Sequence, residues 1–180
     1  MRREAKLRDL TLVFGGILAH NNGGATTADN SGAPYLRDVY ERGLHGQANW
    51  DGVRRALGSY PLDAVGQHPY VDQGGACTGD HIRAYLGWLH GTIEDDEGRC
   101  SAKPLYVTEV AWSTTMVSPE VQATNLGMLY DACAQTPYVA ARLWFELLDN
   151  PFAQLYYGVL DPHWTRKPAF AAFQRIAAPR

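Results

Sequence analysis

The feature that most constrains the fold is a fourfold alternation of a short apolar run with a helix-like stretch. The apolar runs are near-continuous instead of alternating with polar residues, and they cover residues 11–17, 62–67, 105–110 and 140–147. Such runs are typical of parallel strands that are covered on both faces. The chain is therefore expected to contain four parallel strands joined by helical crossovers.

Helix signals lie after each apolar run. Proline at the first turn, Ser or Asp as N-cap and glycine as a stop mark the ends of these helices. The predicted helices are Pro34 to Gly43, a short one around Val53 and Leu57, Asp80 to Gly91, one opened by Ser118 and Pro119, and one from Pro168 onward.

This order predicts an α/β fold, with residues 1–180 as a single domain and right-handed crossovers. Two architectures compete, an open doubly wound sheet and a piece of a (βα)8 barrel, which normally takes about 250 residues. A doubly wound nucleotide-binding fold would carry a phosphate-binding turn after an early strand. The stretch "FGGILAHNNGG" contains glycines but matches neither GxGxxG nor GxxxxGK[ST].

Composition excludes several classes of partner. With 46% apolar residues, 19% charged residues and a formal net charge of −3 in 180 residues, the chain lacks the basic field that binds nucleic acid. No apolar stretch approaches the about 18 residues of a membrane span, and the N-terminus has no signal-peptide pattern. A soluble protein is expected, either cytoplasmic or exported by another route.

Metal and disulfide patterns are weak. Cys77, Cys100 and Cys133 show no CxxC spacing, which predicts neither a zinc site nor a disulfide framework, although a bridge from Cys77 to Cys100 is left open. The histidines show no metal-ligand spacing, and no cofactor is expected. The run "EDDEG", residues 94–98, is interpreted as a solvated acidic loop, because it lacks the EF-hand pattern.

Polar and aromatic residues cluster where each predicted strand ends, at residues 19–22, 67–70, 108–114 and 144–150. Loops after parallel strands converge on one rim of the sheet, and this rim carries the chemistry in barrels and open α/β sheets. The stretch "LYVTEVAWST" places a single ionisable residue, Glu109, at this rim. The residues alone leave two interpretations open, a solvated glutamate at the end of a strand or a catalytic carboxylate.

Several segments together resemble the clan A retaining glycoside hydrolases, which are (βα)8 barrels. "LVFGGI" with "YLRDVYERG" is similar to their fifth unit, and "DAVGQHPY", "LYVTEVAWST" and "ARLWFELLDN" are similar to strands six to eight. The later "YYGVLDPHWTRKPAFAAF" matches the closing pattern of the clan. The resemblance covers nearly the whole chain and implies the C-terminal half of such a barrel, a (βα)4 unit.

The resemblance also implies roles for individual residues. Glu109 matches the nucleophile that ends the seventh strand, and His68 and Tyr70 match residues that hold the nucleophile or the sugar. Trp144 matches the aromatic floor of the sugar subsite, and Glu146 lies in a segment whose acidic residues contact sugar hydroxyls. The implied substrate is a β-linked glycoside, hydrolysed by double displacement.

Two further residues keep two interpretations each. Trp112 is either a packing residue of the loop or an outer sugar platform, and Asn21 either shapes the Gly-rich turn or contacts substrate. The acid/base glutamate of the clan follows an asparagine on the fourth strand, and this sequence contains no Asn-Glu pair. The missing acid/base is expected from a partner chain or, less favourably, from Glu146.

A half barrel leaves two strand edges unpaired and one sheet face open, here predicted to carry Val13, Val65, Val107 and Leu143. We expect a homodimer that closes an eight-stranded barrel and so covers these edges and this face. The alternatives are a separate chain that supplies the other four strands and a flatter sheet wrapped by helices. The rival to a glycosidase is a catalytically silent half barrel that binds carbohydrate or forms oligomers.

Overall fold

Four parallel strands in one sheet form the centre of the fold. The computed structural model describes residues 10–21, 24–100 and 102–178. The strands lie side by side in chain order, and they are β1 (Val13–His20), β2 (Ala64–Tyr70), β3 (Leu105–Val107) and β4 (Val139–Arg142). The predicted α/β fold with parallel strands is confirmed.

In the part of the chain that the structure describes, five helices connect and follow the strands: α1 (Ala33–His45), α2 (Trp50–Leu57), α3 (Gly79–Glu97), α4 (Pro119–Ala134) and α5 (Pro168–Ala177). Two short 3-10 helices, Ala28–Asn30 and Pro151–Ala153, lie in the loops after β1 and β4. Ser118 caps α4 as predicted, because its side chain accepts a hydrogen bond from the Val121 amide. No described helix is both long and apolar enough to cross a membrane.

Helix α3 differs from its prediction at both ends. Its N-cap is Thr78, whose hydroxyl accepts from the His81 amide, whereas Asp80 lies inside the first turn. The predicted stop at Gly91 is wrong, because the buried residues Thr92 and Ile93 continue the inner face of the helix beyond it. A glycine inside a helix lowers its stability by only about 1 kcal/mol relative to alanine. The free energy gained by burying the Ile93 side chain is larger than this cost.

The acidic run after Gly91 is not a solvated loop. Residues 94–97 form the last turn of α3, and the side chain of Glu97 is only 2% exposed. The Tyr40 hydroxyl donates to Glu97 Oε1 over 2.6 Å, and Lys103 Nζ lies 3.3 Å from Glu97 Oε2. These two partners make the burial of the carboxylate tolerable.

The helices pack on one face of the sheet and leave the other face open. Val65 and Val107 are fully buried in the same core cluster as side chains of α1, α3 and α4. The prediction that these two valines line the open face is therefore wrong, whereas Leu143 is 56% exposed, as predicted for that face. The open face instead carries Leu18, which is 57% exposed and lies beside His68 in the sheet register.

The outer edges of β1 and β4 have no strand partner among the described residues. Pairing continues irregularly beyond β4, since the Leu143 amide donates to Val107 and the Phe145 amide donates to Val110. Cys77, which is buried, and Cys100, which is exposed, are both free thiols. The bridge between them that the sequence left open is absent.

Candidate functional site

A row of four side chains, one from each strand or its extension, lies at the carboxyl rim of the sheet. His20 and Tyr70 are the last residues of β1 and β2 and lie beside each other in the parallel register. Glu109 follows β3 and Phe145 follows β4. All four line one cavity of about 360 Å³, together with Gln73, Met116, Leu155 and Tyr157.

Glu109 is held by contacts to both of its carboxylate oxygens. The Tyr70 hydroxyl donates to Oε1 over 2.5 Å, and His68 Nδ1 lies 3.7 Å from Oε2. The Glu109 side chain is 31% exposed, so it is accessible from the cavity. The carboxylate is therefore oriented by its neighbours and still open to a ligand.

Tyr70 is suited to remain a hydrogen-bond donor to this carboxylate. Burial, followed by the hydrogen bond to Glu109, raises the pKa of the Tyr70 phenol well above its ordinary range. The ring also contacts Tyr157 edge-on at a centroid distance of 6.2 Å. Tyr70 therefore keeps its proton at neutral pH and keeps pointing it at Glu109.

His68 depends on a glycine of the neighbouring strand. Its Nε2 lies 3.0 Å from the Thr108 hydroxyl, and a Cβ placed on Gly16 would lie 2.0 Å from that same nitrogen. Gly16 therefore leaves the space that the imidazole fills. The sequence showed this glycine only as part of a weak nucleotide-binding pattern, so its role could not be read without the strand register.

We expect Gly16→Ala to lower kcat/KM of any Glu109-dependent reaction by about 10-fold or more, because the new methyl group displaces the His68 ring and misplacements of about 1 Å are costly. Gly91→Ala is the matched control, since its Cβ meets nothing within 4 Å. Steady-state kinetics of both variants check this. Equal kinetics for the two variants would contradict the role of Gly16.

The structure places the two predicted tryptophans away from the cavity. Trp112 is fully buried, and its indole N–H donates to the carbonyls of Val71 and Asp72. Trp144 packs on Trp112 at 6.1 Å and donates to the Tyr157 carbonyl. Neither ring lines the Glu109 cavity, so the predicted place of Trp144 on the floor of the sugar subsite is corrected to a packing role, and of the two interpretations of Trp112 the structure favours loop packing. The next residue, Phe145, supplies the aromatic wall, because successive residues of an extended chain point to opposite faces.

Glu146 also lies elsewhere. It lines a separate, mainly apolar cavity of about 380 Å³ with Trp144, Phe170 and Phe173. Burial and the nearby Asp149 raise the pKa of its carboxyl, while Lys167 opposes this shift. Glu146 is therefore not among the groups that face Glu109, and its predicted contact with sugar hydroxyls at that cavity is corrected.

Asn21 has a structural role at the rim. It is 5% exposed, its amide donates to Asp72 over 2.9 Å, and its oxygen accepts from the Asp72 amide. Asp72 in turn lies 2.7 Å from His81 Nδ1. Asn21 therefore ties the loop after β1 to the loop after β2, and of its two interpretations this arrangement favours the structural one. Asn22 lies outside the described residues.

The loop after β4 is anchored by a buried ion pair. Lys167 Nζ lies 3.0 Å from Asp149 Oδ1, and that oxygen also accepts from the Gly158 amide. The lysine additionally donates to Thr114, which joins the loops after β3 and β4. This network positions the segment that contributes Leu155 and Tyr157 to the cavity.

The arrangement combines one oriented carboxylate with an aromatic wall. Phe145 and Tyr157 lie 5.8 Å apart at their centroids and cover one side of the cavity. Such a surface can pack on the apolar face of a sugar ring, while the carboxylate attacks carbon or accepts hydrogen bonds. Within residues 10–21, 24–100 and 102–178, no group of three or more His, Cys, Asp or Glu side chains could hold a metal ion.

Comparison with known proteins relates the fold to glycoside hydrolases with (βα)8 barrels. A family 39 glycoside hydrolase from Bacteroides cellulosilyticus superimposes with a TM-score of 0.61 and 19% identity, covering 87% of this chain and 32% of that one. An endo-β-1,3-glucanase from Amycolatopsis mediterranei, in complex with laminaripentaose, gives a TM-score of 0.51 and 18% identity, covering 71% and 49%. Xylanase 10B from Thermotoga maritima gives 0.51 and 15% identity, covering 95% and 61%.

These similarities establish an α/β fold in which four parallel strands with their helices match part of a (βα)8 barrel. The chain spans about half the length of the Amycolatopsis enzyme and about a third of the Bacteroides enzyme. No protein-family model matches the sequence, and no curated protein matches it. The neighbours are clan A glycoside hydrolases, so the resemblance seen in the sequence holds at the level of the fold.

Proposed function

We propose that this chain acts on β-linked O-glycosides by a retaining double displacement in which Glu109 is the nucleophile. The observation that carries the proposal is the position of Glu109 at the carboxyl rim, hydrogen-bonded by Tyr70 and open to a cavity with an aromatic wall. The fold supports the same reading, because the similar structures are an endo-glucanase, a xylanase and another glycoside hydrolase.

In the first step, a Glu109 oxygen attacks the anomeric carbon as the bond to the leaving oxygen breaks, and that oxygen takes a proton from an acid/base group supplied by a partner chain. In the second step, that group takes a proton from water as the water attacks the same carbon, and the electron pair of the ester bond returns to Glu109. Two inversions retain the configuration. Tyr70 and His68 orient the carboxylate, and Phe145 with Tyr157 covers the sugar ring.

A panel of nitrophenyl β-glycosides tests the proposed activity. The unmodified chain is expected to release nitrophenol from at least one sugar, and Glu120→Gln, a change at an exposed residue of α4, is expected to keep that rate. Product analysis by NMR is expected to show the β-anomer first. Release of the α-anomer first would contradict a retaining mechanism.

The second candidate is a silent half barrel that binds carbohydrate without cleaving it. One observation favours it, since Glu109 is the only carboxylate among the described residues that line the cavity. Sugar binding measured by calorimetry, with no turnover on the whole panel, would select this alternative.

We further propose that two copies of the chain pair through the open strand edges, with β1 of one copy beside β4 of the other. The outer edges of β1 and β4 present backbone groups that can form hydrogen bonds with a strand of another chain. On the open face, Leu18 and Leu143 are more than half exposed. An isologous contact of this kind closes an eight-stranded barrel. A chain supplying four further strands would satisfy the same edges.

Sedimentation velocity of the purified chain checks this pairing. We expect a species of twice the 19.9 kDa chain mass, because closure buries the apolar face and satisfies both edges. A charged substitution on that face, Leu143→Glu, is expected to shift the species to monomer, while Glu120→Gln leaves it unchanged. A monomer at all concentrations would contradict the dimer.

A further inference from the structure

One buried side chain of the Glu109 cavity has a hydrogen-bonding atom that the described part of the chain does not satisfy. Gln73, in the loop after β2, lines the cavity and is only 8% exposed. Its amide nitrogen donates to the Ala111 carbonyl over 3.0 Å and to the Val71 carbonyl over 3.4 Å. Its amide oxygen, Oε1, is buried and has no hydrogen-bond partner among the described residues. Most buried polar atoms are paired, so this oxygen calls for a donor that these residues do not supply.

The orientation of the Gln73 amide follows from its neighbours. A backbone carbonyl only accepts hydrogen bonds, so the NH2 end of the amide must face Ala111 and Val71. With the amide turned over, its oxygen would face the Ala111 oxygen, and its nitrogen would lose both acceptors. Oε1 is therefore the free end of the side chain, and the group that pairs with it is a hydrogen-bond donor.

The loop that carries Gln73 is enclosed by loops of the same chain on both sides. Asn21 holds Asp72 from the loop after β1, and the Trp112 indole donates to the Asp72 carbonyl from the loop after β3. The side of Gln73 that remains is the wall of the cavity that also contains Glu109. Oε1 is shielded from bulk water, so its donor is a group held in the cavity, which it meets after a side-chain rotation of the kind that is common on binding.

Two other buried glutamines provide a comparison. Gln67 and Gln122 also donate through Nε2 to two carbonyls, and their Oε1 atoms also lack a partner in the part of the chain that the structure describes. Both are fully buried, and neither lines the Glu109 cavity. An unpaired oxygen alone therefore indicates no ligand. At Gln73 it coincides with a cavity that holds an accessible carboxylate.

We propose that Gln73 determines the specificity of this site by accepting a hydrogen bond from one hydroxyl group of the sugar that binds beside Glu109. This inference rests on the proposed function. A sugar with that hydroxyl supplies the missing donor, whereas a deoxy sugar leaves Oε1 unpaired. A site built to pair with a hydroxyl rejects the analogue that lacks it, because the polar group of the protein then stays without a partner. The ligand class is a glycoside with a free hydroxyl at one defined ring position.

A double-mutant cycle between Gln73 and the sugar hydroxyls tests this proposal. The variant is Gln73→Met, which is similar in size and has no amide, and the substrates are the best-cleaved nitrophenyl β-glycoside and its monodeoxy analogues. We expect deoxygenation at one position to lower kcat/KM of the unmodified chain by about 10-fold or more. In Gln73→Met the same deoxygenation is expected to change kcat/KM by less than about twofold, while the other positions behave alike in both proteins.

Gln122→Met is the matched control, because it removes the same pattern of hydrogen bonds from a residue that does not line the cavity. It is expected to keep the full loss on deoxygenation, even where all of its rates are lower. Equal sensitivity of Gln73→Met and the unmodified chain at every position would overturn the proposal and leave Gln73 with a packing role alone. Circular dichroism checks the fold, and Gln73→Leu replaces the first variant if that one unfolds. An unmodified chain that tolerates every deoxygenation would overturn the proposal without any variant.

Binding constants separate this inference from the proposed function. The same sugars are titrated as methyl β-glycosides in a calorimeter. Coupling between Gln73 and one hydroxyl in binding, without turnover, would support the role of Gln73 and overturn the hydrolysis. Turnover without any coupling would overturn the role of Gln73 alone. Neither binding nor turnover of any sugar would overturn both.

Discussion

Replacing Glu109 by alanine is expected to lower turnover of aryl β-glycosides by at least about 10⁴-fold, because no other described carboxylate lines the cavity and loss of a catalytic nucleophile has effects of this size. Glu109→Gln keeps the shape and the contact to Tyr70 but cannot form the glycosyl ester, so it is expected to lose as much. Steady-state rates on the best nitrophenyl substrate measure both losses.

A small nucleophile distinguishes chemistry from misfolding in this experiment. Azide fits the space left by Glu109→Ala and is expected to restore turnover by giving an α-glycosyl azide, since a single displacement inverts the configuration. It should not rescue Glu109→Gln, whose side chain fills that space. Activity that survives either substitution would remove Glu109 from the mechanism.

The largest expected effect on stability comes from Lys103→Met. Glu97 is buried between Tyr40 and Lys103, and the substitution removes the cationic partner of its carboxylate. Breaking a buried pair in this way costs about 3–5 kcal/mol of unfolding free energy. For a chain of this size, that corresponds to a decrease in Tm of roughly 6–20 °C.

Urea unfolding followed by fluorescence measures this loss, with two variants for comparison. Removal of both charges in Glu97→Gln with Lys103→Met is expected to recover part of the stability, because no uncompensated charge remains. Arg83→Met breaks the exposed pair with Asp80 and is expected to cost less than about 1 kcal/mol. Equal costs for Lys103→Met and Arg83→Met would contradict the importance of the buried network.

The architecture could be predicted because it depends on patterns that are local in the chain. Each apolar run and each helix signal covers fewer than about twenty residues, and the alternation itself dictates parallel strands with crossovers. The burial of Glu97 could not be predicted in this way. Its partner Tyr40 is 57 positions distant in the chain, so "EDDEG" reads as solvated until the helices are packed together.

The sequence also did not show which residues of each strand point toward the helices and which point toward the open face. In a near-continuous apolar run every residue looks suited to the core, so the assignment of Val65 and Val107 to the open face failed by one position of the pleat. An error of one position also explains why Trp144 was predicted to line the cavity, whereas its neighbour Phe145 does so in the structure. Side chains of a strand alternate between the two faces of the sheet. Because the flanking residues are apolar as well, the sequence did not show which residues face the helices and which face the open side.

The rim could be predicted only in part. Because parallel strands end at one edge, the sequence was sufficient to expect that His68, Tyr70 and Glu109 lie close together, and the structure places them together. The sequence was insufficient to predict that Gly16, His20 and Gln73 also lie at this site. Their positions at the site depend on the register of β1 against β2 and on loop packing, which no spacing along the chain encodes.

Covalent trapping is the measurement that tests the central claim most directly. A 2-deoxy-2-fluoro β-glycoside with a good leaving group slows the second displacement more than the first, so the glycosyl-enzyme accumulates. Mass spectrometry of the intact chain and its peptides is predicted to find one sugar per chain, attached to Glu109. A sugar attached to another carboxylate, or an unmodified chain after prolonged incubation with a substrate that it hydrolyses, would contradict the assignment of Glu109 as the nucleophile.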